Sequence, residues 1–460
     1  ALLAEIQSAK KSIDFAIYGM RGQKAIFNAL LAAKDRGVKL RGVVDKDTEN
    51  KNYYPDTDKL IKALDNTIRS DYESDKAYKV PKLKYKTWCQ KPEGAEGPLS
   101  CSGFDLGHSC ILTAQASKRS LVQNNRIMHN KFFIFDSKTV YTGSANISDT
   151  GVGGYNSNMS VVIENSELVE IFQDEFNQMY EKGLFHTAKK RSRKERSIYV
   201  NKDLSYHVYF SPQDKPLIKY VLPLIKKAEK NINIGVFYLT SKELAAALVD
   251  AHLRGVKIKV INDATSASNE YTKHEVLRAA RIAVKVENWG GKMHMKSASI
   301  DGKYIITGSM NWTSAGWRTN DENTVIIESR AQTKKFDKYF TSIWKSIDEK
   351  WLTYNPHPES LDSGTACFDG MDNNFDYLSD NEDPMCAEGI DSAYNTPGHI
   401  MVPKEDGFGL IKGNISFSTG EKVYHMPGQK FYETTDIDPA EGEMLFCSPT
   451  AASKAGWRRS

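Results

Sequence analysis

Two short stretches of the 460-residue chain hold the residue types that can do chemistry on an anion. His129, Lys131 and Asp136 stand in the order His-x-Lys-x4-Asp, and His294, Lys296 and Asp301 repeat it. Each stretch continues to Gly-Ser-x-Asn, with Ser144 and Asn146 in the first copy and Ser309 and Asn311 in the second. Alternate residues of a strand face the same way, so His129 is expected to project with Lys131, and His294 with Lys296. If the copies face each other across a pseudo-two-fold, two imidazoles and two ammonium groups converge. A tetrahedral phosphate suits that arrangement, because the four donors can surround its non-bridging oxygens. Ser144, Asn146, Ser309 and Asn311 add neutral donors at the same place. One neutral imidazole can attack phosphorus, giving a phosphohistidine, while the other, protonated, donates to the leaving oxygen. Water or an alcohol then attacks with the roles reversed. The lysines supply charge that a divalent cation would otherwise supply, so no cofactor is required for catalysis.

The elements that must position these residues are also doubled. MHNKFFIFDSKTVYTGSANIS (128–148) aligns without gaps to MHMKSASIDGKYIITGSMNWT (293–313), with nine of 21 positions identical. Upstream, SIDFAIY (12–18) matches NINIGVF (231–237), and RGVKLRGVVD (36–45) matches RGVKIKVIND (254–263). A helical stretch precedes each RGVK segment. Strand, helix, strand in that order predicts an α/β fold with parallel pairing. The copies are offset by 218 residues at RGVK and by 165 at the His-x-Lys block, so the first carries 53 more between them. That excess falls within about 46–127, around Cys89, Cys101 and Cys110, and reads as a long cross-linked loop insertion. The second copy opens with a strand plus a helix where the first has only ALLAEIQSAKK, so an opening strand of the first repeat is expected to have been lost.

Net charge is +4, from 62 Lys and Arg against 58 Asp and Glu, which argues against a surface that is one field for polyanions. No run approaches the ~18 apolar residues of a membrane span. The six cysteines form no CxxC pair, which counts against a metal ribbon, and they sit in loop-like segments, which favours disulfides in a secreted or periplasmic protein over buried thiols in a cytosolic one. The expected divisions are a first repeat over 1–187, a basic linker over 188–202, a second repeat over 203–355, an acidic Cys-flanked segment over 356–400 and a small α+β accessory domain over 401–460. AKKRSRKERS (188–197) reads as a solvated linker, with contact to a polyanion as the alternative. In CFDGMDNNFDYLSDNEDPMC (367–386), Asp372, Asn374 and Asp376 alternate as hard oxygen ligands do, a candidate structural Ca²⁺ loop, although the EF-hand pattern is not met.

The doubled His-x-Lys-x4-Asp with Gly-Ser-x-Asn resembles the phospholipase D superfamily over about residues 1–350. That resemblance implies two α/β halves with mixed sheets packed around one active site, and metal-independent phosphodiester chemistry. It implies His129 as nucleophile, His294 as acid and base, and Lys131, Lys296, Asn146 and Asn311 as phosphate ligands. It also implies an acidic residue downstream to orient each histidine. For His294 this is Glu322; the first copy has Asn158 at the equivalent place. A carboxylate makes an imidazole more basic, which fits His294 as the protonated acid. Asp136 and Asp301, at their strand ends, are expected to give structural support. The C-terminal GLIKGNIS, YHMPGQKFY and FCSPTAASKAGWR resemble a small accessory module of some secreted bacterial nucleases and hydrolases.

The expected substrate is a phospholipid at a membrane or micelle surface, with Trp289, Trp312 and Trp317 beside the motif as contacts for acyl chains or a choline-like head group. Nucleic acid is the alternative substrate, and a lipid- or polyanion-binding protein with a relic site is the non-enzymatic alternative. No protein partner is implied, and a monomer is expected.

Overall fold

In a computed structural model, the described residues are 1–65, 67–77, 100–102, 109–111, 126–269, 271–374, 379–386, 393–394 and parts of 411–460. The chain divides into two compact units, residues 1–78 with 126–395, and 79–125 with 396–460.

The first unit contains both copies of the duplication. Its first sheet is built from β1 (Ser12–Ile17), β2 (Lys39–Val44), β3 (Ile68–Ser70), β4 (Lys131–Phe135), β5 (Thr139–Gly143) and β6 (Ser160–Glu164), in the order β6-β5-β4-β1-β2-β3. The second sheet adds β7 (Ser197–Asn201), β8 (Leu204–Ser211), β9 (Asn231–Val236), β10 (Lys257–Asn262), β11 (Ala283–Val286), β12 (Lys296–Ile300), β13 (Tyr304–Gly308) and β14 (Glu322–Glu328). Its order is β7-β8-β14-β13-β12-β9-β10-β11. Both sheets are mixed: β1 pairs parallel with β2 and antiparallel with β4, and β9 does the same with β10 and β12. The parallel strands are joined by the helices Lys24–Asp35 and Lys242–Leu253, as the strand-helix-strand order requires. The first sheet is two strands narrower. Among the described residues β6 is its edge, whereas the equivalent β14 is covered by β8.

Two amphipathic helices, Ser166–Tyr180 and Arg330–Ser346, follow β6 and β14 in their repeats. Asn165 caps the first, its Oδ1 accepting from Leu168 N at 2.8 Å. Their apolar stripes, Phe172, Phe176 and Met179 on one and Phe336, Phe340 and Trp344 on the other, enter one hydrophobic cluster with Phe132, Met293 and Met295. That cluster draws from both repeats. At ~1.5–3 kcal/mol for each large apolar side chain taken from water, it makes the halves one body.

The run at 188–197 is a solvated linker only in part: Lys190, Arg191 and Lys194 are exposed, but others are drawn into the fold. Lys189 is buried, its Nζ 2.7 Å from Asp321 Oδ1 and paired with Glu175 as well. Arg193 meets Glu170 and Asp174, buried Arg196 lies 3.5 Å from Asp214, and Ser197–Asn201 is already strand. The acidic residues that neutralise the run lie on neighbouring elements, which a local charge count does not see.

Cys367 and Cys386 form a disulfide with their Cα atoms 5.5 Å apart. Between them the expected Ca²⁺ ligand set is not assembled among the described residues. Asn374 Nδ2 donates to Asp383 Oδ2 at 2.7 Å, while Asp380 and Glu359 accept loop N–H groups of Asp369 and Asn373. Asp376 lies outside the described residues, as do Cys89 and Cys447. In the second unit Met444–Phe446, Ile411–Ile415, Lys422–His425 and Arg458–Arg459 form a four-stranded sheet in that order, with Tyr424, Ala452 and Trp457 as its buried cluster.

Candidate active site

Lys131 and Lys296 are the first residues of β4 and β12, opposite Ile17 and Val236 at the ends of β1 and β9. The two motifs therefore lie at the carboxyl ends of the parallel strands, where open α/β sheets place their sites. The preceding segments cross between repeats. Met128 bridges Asp321 and Met293 bridges Ser157, both parallel, with His129 N donating to Asp321 O at 2.9 Å and Ser157 N to Lys292 O at 2.8 Å. These two bridges are equivalent under the duplication and define a pseudo-two-fold.

The crossing decides which side chain meets which histidine. Glu322 does not orient His294. Its Oε2 and Oε1 lie 2.8 and 2.9 Å from Nδ1 of His129, in the other repeat. His294 Nδ1 instead donates to Asn158 Oδ1 of the first repeat at 3.1 Å. The expectation that a carboxylate makes His294 the more basic ring is overturned, because each orienting residue serves the opposite half. Ser144 donates to Asn158 Oδ1 at 2.8 Å, and Ser309 hydrogen-bonds Glu322 in the same role. The serines thus hold the residues that hold the rings.

Both histidines and both lysines are buried. Lys131 Nζ donates to His129 O at 2.9 Å and Lys296 Nζ to His294 O at 2.8 Å. Burial, then the charge of Lys131, holds the His129 imidazole well below its usual range. His294 is lowered by burial, then by Lys296. Burial brings Lys131 down to about 7 and Lys296 well below a normal ammonium. Burial also pushes the Glu322 carboxyl up to about 8. Burial drives each group towards its neutral form; for the histidines and Lys296 the neighbouring positive charge adds to it, whereas for Glu322 that charge works against it. An arriving phosphate reverses the bias on the four nitrogen groups.

Tyr18 and Phe237 also line the site, although nothing in the motifs themselves names them. The Tyr18 ring lies 5.5 Å from the His129 ring and Phe237 lies 5.0 Å from His294. They are the last residues of the matched SIDFAIY and NINIGVF segments, so the repeat alignment is the signal that could find them. Behind them are two buried carboxyl pairs, Asp45 with Asp71 and Asp263 with Glu287. Burial raises all four. Asp45 Oδ1 accepts from Met128 N at 2.7 Å and so fixes the segment entering His129.

Asp136 and Asp301 sit in turns at φ 52° and 55°. Asp136 accepts the N–H groups of Lys10, Lys11 and Ser12, and Asp301 those of Glu229, Lys230 and Asn231. They tie the His-x-Lys hairpin to the start of the neighbouring strand. Asn146 and Asn311 are half-buried, each with a buried Oδ1 that has no hydrogen-bond partner among the described residues. The tryptophans do not line the site as their sequence positions suggest. Trp312 and Trp317 are buried in the apolar cluster of the second half, and half-buried Trp289 packs against the shared core.

A family model described as the cardiolipin synthase, phospholipase D-like domain matches residues 2–180 and 221–344. The chain belongs to the phospholipase D superfamily. The matched segments are the two halves just described. Among curated relatives, this phospholipase D-like chain is 31% identical over 149 residues to the mitochondrial cardiolipin hydrolase of Xenopus tropicalis, covering 32% of this chain and 71% of that protein. It is 32% identical over 118 residues to the phospholipase D of Rickettsia felis, covering 26% of this chain and 59% of that one. These are names of phosphodiesterases, the class of enzyme to which the chain belongs. The crystal structure of phosphatidylserine synthase from Haemophilus influenzae Rd KW20 shares the fold, with TM-score 0.51 at 14% identity over 76% of this chain and 86% of that one.

Proposed function

We propose that the protein is a phospholipase D-type phosphodiesterase that hydrolyses glycerophospholipids, such as phosphatidylcholine, to phosphatidic acid and free head group. The observation that carries this reading is the Glu322 carboxyl on Nδ1 of His129. It fixes Nδ1–H on the ring side away from the substrate and leaves the Nε2 lone pair for attack. As the Nε2–P bond forms, the ring becomes cationic and Glu322 as carboxylate balances it. The P–O bond to the head group breaks, and His294 gives its Nε2 proton to the departing oxygen. Asn158, a neutral partner, leaves His294 the readier of the two to release that proton. Water then attacks phosphorus, gives its proton to His294, and the N–P bond breaks. An alcohol in place of water gives transphosphatidylation. Lys131, Lys296, Asn146 and Asn311 hold the phosphoryl oxygens, and the chemistry calls for no metal.

Support for a lipid comes from the relatives' names and from the wall of the pocket. Tyr53, 63% exposed, packs at a tilt against Tyr54 and against Tyr18, the ring beside His129, and offers an aromatic surface there. Four of the six basic residues of the run that favoured nucleic acid, Lys189, Arg191, Arg193 and Arg196, are taken up in ion pairs. The Cys367–Cys386 disulfide fits a secreted or periplasmic enzyme. One chain supplies both halves of the site, so a monomer suffices.

Phosphatidylcholine and cardiolipin vesicles assayed beside single-stranded DNA test the reading. Head-group release with no DNA cleavage supports it. DNA cleavage with no lipid turnover makes the protein a nuclease of the same superfamily. Turnover of neither leaves a binding protein with a relic site.

A further inference from the structure

We propose that Asp71, Asp75 and His186 form a binding site for a divalent transition-metal ion of the zinc class, placed behind the catalytic pair. His186 Nε2 lies 3.3 Å from Asp71 Oδ2 and 3.1 Å from Asp75 Oδ1, and donor atoms of the three side chains all lie within 4.8 Å of one another. Ligands at 2.0–2.1 Å from a tetrahedral zinc are separated by about 3.3 Å, so these spacings fit the edges of such a site. All three side chains are at most 2% exposed. His186 Nε2 and Asp71 Oδ2 are buried and 3.3 Å apart without an aligned hydrogen bond, while Asp75 Oδ1 also accepts from Arg126 Nη2 at 2.9 Å. Buried polar atoms that face each other without an aligned hydrogen bond are those a bound cation would satisfy.

The surroundings match a metal site in one more way. His186 Nδ1 faces Asp321 Oδ2 at 3.1 Å, the carboxylate behind the imidazole that fixes the tautomer of a metal-bound histidine. The nitrogen and oxygen donor set suits zinc better than a hard all-oxygen cation, with a water or a second carboxylate oxygen in the fourth position.

The ion's three ligands all belong to the first half, and the second half reaches it through Asp321, which faces His186 Nδ1. Asp321 O accepts His129 N and is followed directly by Glu322.

The test uses the whole 460-residue chain, its metal content measured by mass spectrometry after expression with zinc, after chelation and after zinc is returned. We expect about one zinc per chain to survive gel filtration. The metal-free protein should melt at a lower temperature and recover on adding zinc. Asp75→Asn, Asp71→Asn and His186→Ala should each lose the ion and the melting response, while His294→Ala keeps both. A wild-type protein that retains no zinc and shows no melting shift overturns the proposal and makes His186 a buried imidazolium. Retention by all three site variants, or loss in His294→Ala alone, overturns it too and places the ion elsewhere. Should a variant not fold, the wild-type titration still decides.

Discussion

Glu322 of the second half holds Nδ1 of His129 in the first, at 2.8 Å, while His294 rests on the amide of Asn158. The two rings are related by a pseudo-two-fold in position and differ in what stands behind them.

Removing either ring should end turnover by different routes. His129→Asn should lower kcat by at least about 10⁴-fold and abolish the covalent intermediate. His294→Asn should let that intermediate form with a good leaving group and accumulate. Rapid quench with an activated phosphodiester, followed by mass spectrometry of the protein, distinguishes the two.

Exchanging the partners should shift the pH profile. Glu322→Gln removes the charge that balances the phosphoimidazole, and kcat should fall by about 10–100-fold. Asn158→Asp places a carboxylate on His294, stabilises its imidazolium and should move the alkaline limb of kcat upward. A profile unchanged in Asn158→Asp would contradict the acid role of His294.

Oxyanion binding should take up protons. Burial and mutual charge hold His129, His294, Lys131 and Lys296 below their usual ranges in the free protein, with Lys131 at about 7. A bound phosphate analogue favours their charged forms, so their pKa values rise. Protons are then absorbed at any pH between the free and bound values, and affinity must weaken as pH rises through that window. Calorimetry of tungstate binding in buffers of different ionisation enthalpy measures this uptake directly.

Much of this site is legible in the amino-acid sequence. The nine identities between residues 128–148 and 293–313, with matching upstream strands, imply two α/β halves and a shared anion site. The pairing of Glu322 is not legible there. Distance along the chain puts it with His294, and only the cross-repeat bridges at Met128 and Met293 move it. Trp312 and Trp317 mislead for a related reason, since a residue beside the motif in sequence can be on the buried side of its strand or helix. Tyr18 becomes readable only through what faces the histidine at the same point in each copy.

Gly143→Ala should destabilise the fold. Its φ is +155°, and a Cβ there would lie 2.2 Å from Met159 O, the carbonyl that accepts Ser144 N. Gly308 makes the same approach to Asn323 O. We expect a loss of about 1–3 kcal/mol in urea unfolding, and lower activity because Asn158 adjoins the displaced strand.

The crossed bridges have a consequence for how direction enters the reaction. Two identical halves related by an exact two-fold must present the same side chain to both imidazoles, and neither ring is then favoured for attack. Joining unlike halves in one polypeptide lifts that degeneracy. A carboxylate can stand behind one ring and an amide behind the other, so the choice of nucleophile is written into covalent linkage and needs no signal from the substrate.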